Sequence, residues 1–250
     1  MFDYSWMTTA VATTAVGAAS SALPRRFAAA GVVAGSALGE VWGSRPTSPQ
    51  LPVLPALESL LPQGLRRGST VSVAGSVSLL LALLSAASAD GAWCVLVDLP
   101  PISAEAARDL GVELARLPLV PSTGSNWVAV VGALLDVFDV VVARAPARLS
   151  DSELRKLSAR SRQRGTVFIP FLTGAARWPQ ADLRLAVEPG PWSGIGEGHG
   201  RLKSRQVMVT VSGRGEAIRS RSERLWLPGP GGGVESVAPQ RLAPVVELSR

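Results

Sequence analysis

Residues 69–88 read Ser-Thr-Val-Ser-Val-Ala-Gly-Ser-Val-Ser-Leu-Leu-Leu-Ala-Leu-Leu-Ser-Ala-Ala-Ser, and this stretch decides the fold. Residues 70–74 have the apolar, β-branched character of a short buried strand, which Gly75 ends. Ser76 is suited to cap a following helix, whose leucines recur at helical spacing. A strand, a glycine turn and an apolar helix are the elements of a phosphate-binding loop.

The residues that give such a loop its chemistry are missing. The pattern G-x-x-x-x-G-K-[ST] places a second glycine and a lysine at fixed distances from the first glycine. Counted from Gly75, those two positions hold Leu80 and Leu81. The helix is predicted to begin directly after the turn, at 76–78, which leaves no backbone to surround a triphosphate. We interpret the segment as the scaffold of a nucleotide-binding fold that has lost its nucleotide site.

Two readings of the turn stay open at this point. Backbone amides at a helix N-terminus bind anions without a lysine, so Ser76, Val77 and Ser78 are candidates to hold a phosphate. The alternative is an ordinary serine-capped core helix. We predict no cofactor in either case, and the degenerate loop is Gly75, Ser76, Val77 and Ser78.

Composition narrows the class of protein. With 250 residues and 47% hydrophobic content, the chain is long enough to bury a sizeable core. Its single cysteine, Cys94, and single histidine, His199, exclude a disulfide framework and a thiolate metal cluster, so we predict no metal site and a reducing, cytoplasmic compartment. Residues 151–225 hold 14 Lys/Arg against 7 Asp/Glu, whereas the formal net charge of the whole chain is +6. This bias is typical of a protein that binds nucleic acid or an acidic protein, and it is equally consistent with a solvated basic surface.

The chain divides into three regions by composition. Residues 4–24 carry no charge, but they are only weakly hydrophobic and lack a basic start, which favours an Ala-rich helical arm over a membrane span. Five prolines between 43 and 62 indicate an extended linker. We therefore predict an arm and linker at 1–50, a core at 51–227 and a flexible tail at 228–250, with no stable membrane association.

The core alternates strands and helices. Apolar runs predict strands at 93–99, 117–120, 139–143, 166–171 and 183–187, and helical patterns occupy 103–110, 125–135 and 150–164. This alternation predicts an α/β fold with a mainly parallel sheet and helices on both faces. Residues 206–212 and 219–227 read as an added antiparallel hairpin. Arg201, Lys203 and Arg205 share the parity of three core valines, so the strand either begins near Gln206 or contains a bulge.

In chain order, several segments of 60–215 resemble the RecA-like fold. They are Pro62-Gln63-Gly64 before the first strand, Leu110-Gly111-Val112 leading to Val120-Pro121, and Asp139-Val140-Val141-Val142 as the strand of the second nucleotide motif. The degenerate loop, the basic helix and the ending Leu225-Trp226-Leu227-Pro228-Gly229-Pro230 are similar to the actinobacterial ImuA-type accessory proteins of mutagenic DNA repair. The resemblance implies a RecA-like three-layer fold.

The same resemblance implies a role and a loss of catalysis. Such proteins work with ImuB, a degenerate Y-family polymerase relative, and with an error-prone C-family polymerase in damage-induced translesion synthesis. Where RecA carries a magnesium-binding aspartate, this chain has Arg144, and Asp98 is followed by Leu99 and Pro100 instead of the water-activating glutamate. We therefore expect a nucleoid-associated adaptor without ATPase activity. An active RecA-like ATPase in DNA repair and a SulA-like inhibitor of cell division are the alternatives.

Contact sites for partners are sought among the basic residues and the tail. DNA and a second copy of the chain are further candidate partners. The candidates for contact with DNA or protein are Arg155, Lys156, Arg160, Arg162, Arg164, Arg201, Lys203, Arg205, Arg214, Arg219, Arg221 and Arg224. The candidates for docking through the apolar tail are Leu242, Val245, Val246 and Leu248.

Overall fold

The computed structural model describes residues 48–174, 176–195, 200–213 and 220–237, without the side chains at 195, 200 and 201. The strands are β1 (Gln50–Leu51), β2 (Leu65–Arg66), β3 (Val71–Ala74), β4 (Cys94–Val97), β5 (Leu119–Val120), β6 (Val140–Arg144), β7 (Val167–Leu172), β8 (Leu183–Ile195), β9 (Gly200–Gly213), β10 (Arg221–Trp226) and β11 (Glu235–Ser236). The α-helices are α1 (Val77–Ala89), α2 (Ala104–Asp109), α3 (Trp127–Leu135) and α4 (Asp151–Arg164). Short 3-10 turns lie at Pro55–Leu57, Leu114–Arg116 and Gly124–Asn126.

A nine-stranded sheet organises the described residues, in the order β11-β10-β9-β8-β3-β7-β6-β4-β5. Neighbouring strands in the part β8-β3-β7-β6-β4-β5 pair in parallel. On the other side of β8, the pairs β8-β9, β9-β10 and β10-β11 are antiparallel. The parallel part follows from the crossover helices, and the antiparallel part extends it at one side. The predicted α/β class, with its mainly parallel sheet and added hairpin, is confirmed.

The helices cover the two faces of this sheet and make three layers. Alternate residues of β6 point to opposite sides, so that Val140 and Val142 pack with leucines of α1, and Val141 and Ala143 pack with α3 and α4. Both α1 and α4 begin where their capping residues predict. The α4 helix has the complete capping box between Ser150 and Glu153, and it ends at Gly165 in the left-handed conformation, with φ +67°.

The prediction of an extended linker up to residue 62 is wrong for its described part. Residues of β1 pair with β2 in a small antiparallel sheet, and Pro55 opens a 3-10 turn. The side chains that follow the prolines pack into the core, with Leu51, Leu57, Leu60 and Leu61 all buried. The prolines set turns here and do not separate the segment from the domain, because the intervening leucines supply the apolar area that a linker lacks.

The core also continues past residue 227, where the prediction placed the start of a flexible tail. The Gly229 amide donates to the Gly233 carbonyl at 2.7 Å, and β11 then pairs with β10. The Val237 amide donates to the Arg224 carbonyl at 3.1 Å. The predicted arm and the tail residues Leu242, Val245, Val246 and Leu248 lie outside the described residues.

The β8–β9 ladder is irregular at its outer end, where the sequence presents the parity conflict. Pro189 of β8 pairs with Val207, but the next pair is Trp192 with Arg205, so β8 contains one extra residue at this point. A second register shift lies between Ser193 and Ile195. The strand begins at Gly200, so a start near Gln206 is wrong. The ladder is irregular, as the bulge alternative predicted, but the extra residue beside Arg205 belongs to β8, so Arg205 keeps the parity of Val207.

Candidate functional site

The turn between β3 and α1 is the first candidate site. Gly75 has φ +82°, in the left-handed region that glycine adopts readily, and its amide donates to the Leu172 carbonyl at 3.4 Å. The hydroxyl of Ser76 accepts from the Leu79 amide at 3.1 Å, so the serine cap is confirmed. Because α1 begins at Val77, only Gly75 and Ser76 separate the strand from the helix. No loop of the kind that surrounds a triphosphate is present at this turn.

The positions of the missing glycine and lysine lie inside the core. Leu80 and Leu81 are exposed by 0% and 2%, and both belong to the cluster between α1 and the sheet. A lysine that binds phosphate must direct its ammonium group out of the turn toward the ligand. At residue 81 the side chain instead packs against apolar neighbours.

Two further residues that the RecA resemblance singled out, Arg144 and Asp98, lie at the carboxyl edge of the sheet. Arg144 is exposed at the end of β6, opposite Phe171 of the adjacent β7. Asp98 follows β4 in the left-handed region at φ +53°, and its carboxylate accepts from the amide of Thr123 at 2.8 Å and from the Thr123 hydroxyl. Asp98 therefore fastens the segment that leads into α3.

Helix α4 carries five of the predicted contact residues, and the structure divides them into two groups. Arg160 and Arg164 both bind the carboxylate of Asp136 at the end of α3, with Nε–Oδ1 distances of 2.7 and 3.1 Å. Arg155, Lys156 and Arg162 are exposed to solvent. Two of the five residues therefore hold α3 and α4 together, and the other three remain candidates for contact with a partner.

The Asp136 cluster predicts an acid-sensitive contact. Hydrogen bonds from Arg160, together with the charges of Arg160 and Arg164, hold the pKa of the Asp136 carboxyl below its usual range. A lowered folded-state pKa stabilises the fold above the unfolded-state value of about 4, and this contribution is lost as the pH falls through the folded-state value. We expect Asp136→Asn to flatten the acid side of the curve of unfolding free energy against pH. Asp109→Asn, at the exposed end of α2, is the control, and equal curves for both variants would contradict the expectation.

The described basic residues of the hairpins differ in their exposure to solvent. Lys203, Arg221 and Arg224 are exposed, while Arg205 packs its guanidinium over the ring of Trp192 at 4.7 Å. Burial lowers the pKa of Arg205. Arg214, Arg219, His199 and the side chain of Arg201 lie outside the described residues.

A buried ion pair was not predicted from the sequence. Arg67 lies 2.9 Å from Asp139, between Nη1 and Oδ1, and Asp139 also accepts from the Trp93 amide at 2.9 Å. The Asp139 side chain is exposed by 1% and that of Arg67 by 14%. The pair joins the residue after β2 to the start of β6, at the edge of the sheet opposite the degenerate loop. Its neighbour Cys94 is buried, and desolvation, followed by the charge of Asp139, raises the pKa of its thiol.

Comparison with known proteins now identifies the family. Residues 59–180 match the MT3502 N-terminal domain family. An uncharacterized protein of Mycobacterium tuberculosis, Rv3395c, is 30% identical over 162 residues, which cover 62% of this chain and 77% of the relative. The chain belongs to the MT3502 family. The matched residues 59–180 include the degenerate turn, α1, the Asp136 cluster and the ion pair.

The fold of this MT3502 family member is that of a RecA-like protein. The crystal structure of the RadB recombinase superposes with a TM-score of 0.55, at 16% identity, over 74% of this chain and 97% of RadB. Together with the family match, this confirms a RecA-like protein of the ImuA type. None of the helices in the described part of the chain has both the length and the apolar character needed to cross a bilayer.

Proposed function

We propose that this chain is a non-catalytic RecA-like adaptor in error-prone translesion synthesis after DNA damage. In this role it binds an ImuB-type polymerase homologue and an error-prone C-family polymerase and brings them together near the nucleoid. It performs no ATP hydrolysis. This role goes beyond the family and the fold, and it depends on the loss of a working phosphate loop between β3 and α1.

One observation carries the proposal. The turn between β3 and α1 consists of Gly75 and Ser76 alone, and Leu80 and Leu81 are buried in α1. A phosphate loop contributes several charge-assisted hydrogen bonds of about 1.5–3 kcal/mol each, and their loss together with the metal removes the affinity for ATP. What supports an adaptor is that the fold is kept while the residues that would bind phosphate and magnesium are replaced.

Co-purification tests the proposal. The full chain is mixed with a tagged ImuB-type protein and with a tagged C-family polymerase from the same organism, with and without Mg-ATP. We expect each tagged protein to retain the chain to the same extent in both conditions, and the chain to be required for the two to co-purify. Retention by neither would contradict the proposal. A tagged GTPase of the cell-division machinery is tested in parallel, and retention by that protein alone would favour the SulA-like alternative.

A further inference from the structure

One face of the antiparallel part of the sheet lies outside the core of the described residues. On the side of α1, alternate residues of β8, β9 and β10 are buried, among them Leu185, Val209 and Leu225. The core cluster on the other side, beneath α3 and α4, contains no residue of these three strands. The even-numbered residues of 184–188, 206–212 and 222–226 therefore form a sheet face that belongs to neither cluster, and we name it the open face.

Pairing between the strands orders the open face into rows. Met208 on the central strand β9 pairs with Glu188 of β8 on one side and with Arg224 of β10 on the other. Both charged side chains are exposed, and Met208 is half-buried. Side chains that are directly paired lie on the same face of a sheet, so this row presents an acid, a methionine and a base in that order.

The two charges of this row form no ion pair with another described residue. They lie two strand spacings apart, or about 10 Å, with Met208 between them. In the next row, the hydroxyls of Thr210 and Ser222 are hydrogen-bonded to each other at 2.9 Å. These short side chains let a facing surface approach the two charges.

The arrangement of the charges is complementary to itself. A rotation of 180° about an axis that runs along β9, above the open face, brings a second copy face to face with the first. Because β8 and β10 lie on opposite sides of β9, this rotation places Glu188 of each copy against Arg224 of the other, and Met208 against Met208. Sheets that pack face to face keep their strands within about 30° of each other at a separation of about 10 Å, which accommodates these side chains.

A third row adds an apolar contact. Trp226 of β10 is half-buried and pairs with Gln206. On the β8 side of Gln206 lies Gly190, where a Cβ would come within 2.1 Å of the Gln206 carbonyl oxygen. The same rotation places the indole of each copy over the glycine of the other, so that a large side chain faces a position that has none.

We propose that the open face is the interface of a homodimer of this chain. Two Glu188–Arg224 pairs flank Met208 on the two-fold axis, and Trp226 of each copy packs on β8 of the other. The carboxylate of Glu188 in the central row repels phosphates, which argues against nucleic acid as the occupant. The contact involves neither polymerase, so its failure would leave the adaptor function intact.

Sedimentation equilibrium of the full chain tests the inference through a charge swap. Glu188→Arg and Arg224→Glu each set like charges against each other across the axis, whereas the double variant restores opposite charges. The matched controls are Glu105→Arg, on α2, and Arg221→Glu, at an exposed residue of β10 with the opposite parity. Urea unfolding establishes that every variant remains folded.

We expect a wild-type dimer, a dissociation constant raised about tenfold or more in each single variant, and a double variant within about threefold of the wild type. The two controls should dimerise within about twofold of the wild type. A wild type that stays monomeric would overturn the inference. Single variants that dimerise like the wild type would place the interface elsewhere, and a double variant as weak as the single ones would refute the pairing of Glu188 with Arg224.

A cross-link between copies locates the axis. The single cysteine of the chain, Cys94, is buried, so the introduced thiol of Met208→Cys is the reactive one. Facing strands about 10 Å apart are too distant for a disulfide, so a short bis-maleimide is the probe. We expect a covalent dimer from Met208→Cys and none from Ser152→Cys, at an exposed position of α4. A thiol in Met208→Cys that is shielded while the protein is monomeric would assign the open face to another segment of the same chain and would refute the dimer.

Discussion

Replacing Leu81 by lysine is expected to destabilise the protein strongly and to confer no binding of ATP. Residue 81 is the position of the phosphate-binding lysine, but its side chain is 2% exposed and packed among the leucines of α1. An ammonium group there has no partner, and the cost of desolvation adds to the disrupted packing, so we expect a loss of about 3–5 kcal/mol in the free energy of unfolding. Urea denaturation measures the loss, and titration with Mg-ATP measures binding.

The loss of stability in Leu81→Lys should also depend on pH. Burial lowers the pKa of a lysine, so the unfolded state of the variant binds more protons than the folded state and stability rises with pH. The penalty should therefore shrink as the pH approaches about 10, the ordinary lysine value. Leu119→Lys, at a position that is 49% exposed, is the control and should cost about 0.5 kcal/mol or less. A Leu81→Lys protein as stable as the control, with affinity for ATP, would show that the turn is an open nucleotide site.

Removing the carboxylate of Asp139 is the second change with a large expected effect. In Asp139→Ala the guanidinium of Arg67 loses its ion-pair partner at 2.9 Å, and the Trp93 amide loses an acceptor. Breaking a buried ion pair from one side costs about 3–5 kcal/mol, because an uncompensated charge remains. The Arg67 guanidinium keeps its hydrogen bonds to the carbonyls of Ser48 and Gly165, at 2.9 and 3.4 Å, but these neutral acceptors do not replace the charge of the carboxylate. The free energy of unfolding, measured by urea denaturation at constant slope, reports the cost.

The matched control lies three residues earlier in the chain. Asp136 also binds arginines, but the Arg160 and Arg164 side chains are 46% and 51% exposed, so Asp136→Ala should cost at most about 1 kcal/mol. The difference between the two variants measures the effect of burial on otherwise similar ion pairs. Equal costs for Asp136→Ala and Asp139→Ala would contradict the structural role assigned to the buried pair.

Local patterns predicted much of the parallel half of the fold. Ser76 caps α1, Ser150 and Glu153 cap α4, and the apolar run at 139–143 is the buried strand β6. These features succeed because each depends on residues that are close in the sequence. The antiparallel extension was less predictable. The apolar run predicted a strand only at 183–187, yet β8 runs to Ile195 and β9 begins at Gly200, because pairing between strands outweighs local propensity.

The features of the candidate site also differ in how far the sequence predicted them. The position of the degenerate turn follows from counting along one segment, and the structure places Leu80 and Leu81 in the core. Arg67 and Asp139 are 72 residues apart, and no local pattern predicts that they meet. Likewise, the sequence marked Arg160 and Arg164 as candidates for contact with a partner, but the packing of α4 against α3 directs both onto Asp136.

The loss of the nucleotide site is tested most directly by titrating the full chain with Mg-ATP in a calorimeter, alongside an ATPase with an intact phosphate loop. We predict no saturable heat of binding up to millimolar ATP, and no difference when magnesium is removed. Saturable binding at micromolar ATP that depends on magnesium would contradict the account, because the turn at Gly75 and Ser76 would then hold a triphosphate.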